Sequence, residues 1–90
     1  MKLRVFYGKE CKRCALYLDL LKASDLDVEY LDADDIVNEN LCDEENVDEL
    51  PHTQIIDQNG KVRLNMYGIR SIAFLREYMS KILKSSDKKK

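Results

Sequence analysis

Apolar residues come along this chain in short bursts, and the spacing within each burst names an element. Leu3-Arg4-Val5-Phe6-Tyr7 is β-prone and closed by Gly8, which predicts a largely buried strand. Past Gly8, Cys14, Leu18 and Leu21 recur at steps of four and three, one face of a helix running to about Ala23, where Ser24-Asp25 breaks it. Val28-Glu29-Tyr30-Leu31-Asp32 alternates in part and predicts a second strand. Strand, helix and strand in that order predict a parallel pair with a right-handed crossover. Asp34 or Asp35 can cap a second helix carrying Ile36, Val37 and Leu41 as far as Cys42 to Glu45. Pro51 ends it. Two further strands, residues 53–57 and 61–66, flank Gln58-Asn59-Gly60, and an Asn-Gly between β-prone runs is a hairpin signal. After Gly68, Ile72, Leu75, Met79 and Ile82 step by three, four and three along a last helix. Residues 85–90 are polar and basic and are expected to be a disordered tail.

The order is therefore β-α-β-α-β-β-α, a single α/β domain over residues 1–84 with a modest core. No run approaches the roughly 20 apolar residues that span a bilayer. The apolar-rich N-terminal run is broken by Arg4, unlike a secretory signal, so a cytoplasmic protein is expected, with no membrane partner. The net charge of −2 conceals a segregation. Thirteen of the seventeen acids lie between Ala23 and Gly60, where no Lys or Arg occurs. That stretch reads as a solvated acidic face. Lys9, Lys12 and Arg13 cluster instead around Cys11 and Cys14. A small basic spot is not the broad basic face that nucleic acid requires.

The chemistry centres on Gly8-Lys9-Glu10-Cys11-Lys12-Arg13-Cys14. Three cysteines do not suit a stapled secreted scaffold, and in a reducing compartment a close pair points to redox or metal chemistry. Placed between a buried strand and a helix, Cys11 meets outward-pointing N–H groups and the positive end of the helix dipole, which favour a thiolate. Cys11 can then attack a disulfide and Cys14 resolve the mixed disulfide. Lys9, Lys12, Arg13 and Arg70 are expected to set a positive field that steers an anionic target surface, or the carboxylates of glutathione, to the site. Zinc would want four ligands, leaving Cys42 and His52, which are ten residues apart, to complete a site. Cys42 reads as a half-buried hydrophobe on the second helix, and His52 as a surface residue after the proline. No metal site and no built-in cofactor are expected.

The strand, the Cys11-Lys12-Arg13-Cys14 motif, the helix, Leu50-Pro51 before a hairpin, and Gly68 before the last helix resemble the thioredoxin superfamily, over about residues 2–84. The size resembles a glutaredoxin. The resemblance implies a four-stranded mixed sheet in the order β2-β1-β3-β4, with the first and third helices on one face and the second on the other. It implies a cis bond at Pro51, with Leu50 and Pro51 as the substrate-docking edge opposite the cysteines. It implies a monomeric dithiol–disulfide oxidoreductase acting on protein disulfides or glutathione mixed disulfides, with a reductase or glutathione as electron donor. Lys12 and Arg13 stand where glutaredoxins usually have Pro and an aromatic. Val5 stands where thioredoxins have a buried acid. Tyr67-Gly68-Ile69-Arg70-Ser71 has one Gly and no acid, which looks closer to the glutaredoxin-like hydrogen donors of ribonucleotide reductase that thioredoxin reductase reduces. A metal- or cluster-holding or protein-interaction module on the same fold is the alternative.

Overall fold

The computed structural model describes residues 1–87, with side chains to residue 84. Its elements are β1 (Lys2–Tyr7), α1 (Lys12–Lys22), β2 (Val28–Asp32), a 3-10 turn (Ile36–Asn38), α2 (Glu39–Glu44), β3 (His52–Ile56), β4 (Val62–Tyr67) and α3 (Ile72–Asp87). The sheet order is β2-β1-β3-β4. β1 runs parallel to β2 and antiparallel to β3, and β3 runs antiparallel to β4. The predicted order of elements stands, and strand ends move by one residue. α3 continues past the expected boundary at residue 84 to Asp87. Residues 88–90, the rest of the tail expected to be disordered, lie outside the described residues. Among the described residues no helix is long and apolar enough to cross a membrane.

The core forms between α1, α3 and one face of the sheet. Strand residues alternate between faces, so Leu3 and Val5 of β1 and Ile55 of β3 point to the same side, where Tyr17, Leu21, Met66 and Leu75 meet them. Cys14, Tyr17 and Leu21 form the buried stripe of α1. Tyr17 holds the inner position expected of Leu18, which packs at the margin. The reason is the hydroxyl: Tyr17 Oη lies 2.8 Å from Thr53 Oγ1, and both residues are fully buried. Burial pushes the Tyr17 phenol above its usual range, opposed by the Thr53 hydrogen bond and the Arg70 charge.

The opposite face is built differently. Two cross-strand rows run over it, Phe6–His52–Tyr67 and Arg4–Gln54–Asn65. The first is a ring ladder with centroids 5.5 and 4.6 Å apart. The second is a polar chain whose donors fix one another. Arg4 Nη1 donates to Gln54 Oε1 at 3.3 Å, leaving Gln54 Nε2 to donate to Glu45 Oε1 at 2.8 Å and Asn65 Oδ1 at 3.1 Å. Asn65 Oδ1 is therefore an acceptor, and His52 Nε2, 2.8 Å away, is the donor. His52 Nδ1 is then a buried acceptor with no protein partner. The expectation of a surface histidine is corrected: β3 is an inner strand, all five of its residues are buried, and His52 is 0% exposed.

The short segment over this face is not one amphipathic helix. Asp35 caps the 3-10 turn by accepting the Val37 N–H at 3.1 Å, and α2 follows, with no buried residue in either piece.

Tyr17→Phe should leave Thr53 Oγ1 without its partner inside the core. A stability loss of about 1–2 kcal/mol is expected, because a buried polar group loses its only compensation. Thermal unfolding should show it as a fall in Tm of roughly 4–15 °C for a domain of this size.

Candidate active site

At the end of β1 the chain has to turn into α1 within a few residues, and Gly8 leaves the turn closely approached. A Cβ there would lie 2.9 Å from Leu50 Cδ1, 3.6 Å from Asp34 Oδ2 and 3.8 Å from Cys11 Cβ. Three separate stretches therefore converge on the space a side chain would fill. The turn is held by Cys11 N–H donating to Gly8 O at 3.4 Å and by Lys9 N–H donating to Asp34 Oδ2 at 2.9 Å.

Cys11 is the N-cap of α1. Its backbone is extended, its carbonyl accepts the Ala15 N–H at 3.2 Å, and its Sγ accepts the Cys14 N–H at 3.1 Å. The sulfur thus occupies the position in which a Ser or Asp oxygen caps other helices. A negative charge on it would meet both an N–H group and the positive end of the helix dipole. Cys11 and Cys14 are joined by a disulfide, with Cα atoms 5.1 Å apart. Cys11 is half-buried and Cys14 has no exposed surface, so Cys11 is the outer sulfur of the pair.

Opposite this pair, the Leu50–Pro51 peptide bond is cis, and Leu50 O lies 4.0 Å from Cys11 Sγ. Pro51 O accepts the Gly68 N–H at 2.9 Å. Gly68 has φ of +83°, a conformation that suits glycine. The turn between β4 and α3 is thereby tied to the proline.

The structure brings Cys11, Cys14, Leu50 and Pro51 into one corner. Lys9, Lys12 and Arg13 surround it as exposed side chains. Arg70 is on the neighbouring turn, but its Nη1 donates to Ile69 O at 3.1 Å and its guanidinium lies over Phe74, 5.6 Å from the ring centroid. Cys42 is half-exposed on α2, and burial, reinforced by Asp43, pushes its thiol up. Among the described residues no group of three or more His, Cys, Asp and Glu side chains is arranged to hold a metal. Asp34 is the site neighbour that linear reading missed. It was one of two candidate helix caps, and only the fold shows that Asp35 does the capping while Asp34 reaches back to Lys9.

No protein-family model and no curated sequence matches the chain. Solved structures do. Thioredoxin 1 from the thermophilic eubacterium Thermosipho africanus TCF52B superposes with a TM-score of 0.73 at 23% identity, over 97% of this chain and 99% of that one. The germline-specific thioredoxin Deadhead of Drosophila gives 0.68 at 25% identity, over 89% and 80%. Oxidized thioredoxin O2 from Arabidopsis thaliana gives 0.70 at 20% identity, over 89% and 72%. The fold is the thioredoxin fold. The Cys11–Cys14 pair, at CxxC spacing, fits a member of the thioredoxin superfamily. That pair on that fold supports a thiol–disulfide oxidoreductase.

In the reduced protein, burial sets an order of reactivity among the thiols. Brief alkylation at mildly acidic pH followed by peptide mapping should label Cys11 first. Cys42, with its raised thiol, should follow, and Cys14 should come last. Labelling of Cys14 ahead of Cys11 would contradict the exposure of the pair.

Proposed function

We propose that the protein reduces disulfide bonds in other proteins, with Cys11 as the nucleophile, Cys14 as the resolving thiol and a reductase as electron donor. The observation that carries this is the capped, outer position of the Cys11 sulfur beside the Leu50 carbonyl. In the first step the Cys11 thiolate attacks one sulfur of the substrate disulfide. A Cys11–substrate disulfide forms, the substrate S–S bond breaks, and the other substrate sulfur leaves as a thiolate that takes up a proton. In the second step Cys14 loses its proton and attacks Cys11 Sγ, which releases the second substrate thiolate and closes the Cys11–Cys14 disulfide. Two electrons have then moved to the substrate, and the reductase returns them to the pair.

Leu50 and Pro51 serve as the edge along which an extended substrate segment lies, and Lys9, Lys12 and Arg13 favour the thiolate form of Cys11. Arg70 adds to the field from a greater remove. The working form is a cytoplasmic monomer. A reductase is favoured over glutathione because Tyr67-Gly68-Ile69-Arg70-Ser71 has a single Gly and no acid, which leaves little with which to hold a glutathione backbone.

Two experiments test this. The oxidised protein is offered glutathione, or thioredoxin reductase with NADPH, and the free thiols are counted over time. Rapid reduction by the enzyme and slow reduction by glutathione are expected; the reverse order would overturn the choice of donor. In an insulin-disulfide assay, Cys11→Ser should abolish turnover, whereas Cys42→Ser should stay within about twofold of the parent. Equal losses in the two variants would sink the two-thiol scheme.

A further inference from the structure

We propose that Asp34 is a positioning residue for Cys11, fixing the turn that presents the cysteine and restraining its reactivity through charge. The inference rests on Cys11 being the nucleophile. Its geometric basis is the hole at Gly8. The same carboxylate oxygen, Asp34 Oδ2, that accepts the Lys9 N–H at 2.9 Å lies 3.6 Å from the point where a Gly8 Cβ would stand, and Cys11 Cβ lies 3.8 Å from that point. The carboxylate and the cysteine Cβ thus both border the space of one missing side chain.

Asp34 is itself held in place. Its N–H donates to Asp32 Oδ1 at 2.9 Å, Ala33 N–H donates to Tyr7 O at 2.7 Å, and Asn38 Nδ2 donates to Asp32 O at 2.9 Å. The loop after β2 therefore extends the β1–β2 pairing by one bond and sets the carboxylate beside the turn after β1. Two consequences follow. The Lys9 N–H, in the loop that precedes the cap, is anchored to another part of the chain, so residues 8–10 are pinned from outside. Asp34 also places a negative charge beside the turn that carries Cys11. The charges around Cys11 are Lys9, Glu10, Lys12 and Arg13 in its own turn and helix, Asp34 across Gly8, Glu49 next to Leu50, and Arg70 on the turn tied to Pro51. Asp34 opposes formation of the Cys11 thiolate, while Lys12 and Arg13 promote it. A dithiol whose nucleophile is less fully ionised is a weaker oxidant and a stronger reductant, which suits a protein that gives electrons away.

Two substitutions separate anchor from charge. Asp34→Asn keeps a side-chain oxygen for the Lys9 N–H and removes the charge, and Asp34→Ala removes both. In Asp34→Asn the pH profile of Cys11 alkylation should move to lower pH, giving about three times as much thiolate at a fixed pH below the midpoint. The shift should shrink in about 1 M salt, where the screening length is about 3 Å. The rate at high pH should stay within about twofold of the parent, since a less basic thiolate is a slightly weaker nucleophile. Exchange of the Lys9 amide should remain slow in Asp34→Asn and become about tenfold faster in Asp34→Ala. An alkylation profile for Asp34→Asn that overlays the parent's would overturn the proposal, and so would unchanged Lys9 exchange in Asp34→Ala. Because both readouts use no protein substrate, they stand apart from the insulin assay. Retained turnover in Cys11→Ser would defeat the functional reading, whatever Asp34 does.

Discussion

The missing side chain at Gly8 is the constraint on which the corner of the molecule depends. β1 delivers the chain into the middle of the sheet's end, and α1 must begin almost at once if its stripe of Cys14, Tyr17 and Leu21 is to reach the core. That leaves Cys11 at the helix start, Leu50 across from it and Asp34 beside it, all competing for one position. With a Cβ at residue 8 only 2.9 Å from Leu50 Cδ1, the end of the Leu50 side chain would have to shift. The sulfur's role as helix cap follows from the same compression. Cys11 arrives in an extended conformation, and its Sγ accepts the Cys14 N–H.

The two faces of the sheet solve burial by different chemistry. Among the described residues, the buried core on the α1/α3 side is apolar apart from the Tyr17–Thr53 hydroxyl pair, which stands in register beside Val5. On the other side the short α2 supplies no buried residue, and the row across the strands there is polar, Arg4–Gln54–Asn65, with Gln54 fully buried. Polar side chains there satisfy one another and, through Glu45, fasten the segment above them. The cost of that solution is concentrated at His52 Nδ1, a buried lone pair with no protein donor.

Much of the fold was legible in the linear sequence, because periodicity reports which face of an element is buried. β2 was read to the residue, and the Asn59-Gly60 turn, with Gly60 at φ of +81°, was legible from turn chemistry. The cysteine pair was legible because its chemistry is local: a strand, a four-residue turn ending in Cys11, and a helix. The failures were those of partners distant in sequence. His52 looked polar and exposed; its burial follows from β3 lying between β1 and β4, which no local window contains. Tyr17 was passed over in favour of Leu18, since only the pairing of Val5 with Thr53 places a hydroxyl where the phenol needs one. Asp34 and Asp35 were interchangeable as caps until the fold sent one to Val37 and the other to Lys9.

The 3-10 turn and α2 contribute no buried residue, and Ile36 and Val37 stand 80% and 81% exposed. Their side-chain ties to the sheet layer are Asn38 to Asp32 at one end and Glu45 to Gln54 at the other. A segment so lightly fastened is the part of the molecule that can detach while the core stays folded. Its N-terminal end is Asp34 and its C-terminal end leads to Leu50, the two groups that meet Cys11 at Gly8. Each transient detachment would therefore loosen both walls of the corner together. The same freedom would make the segment the first stretch a protease cuts.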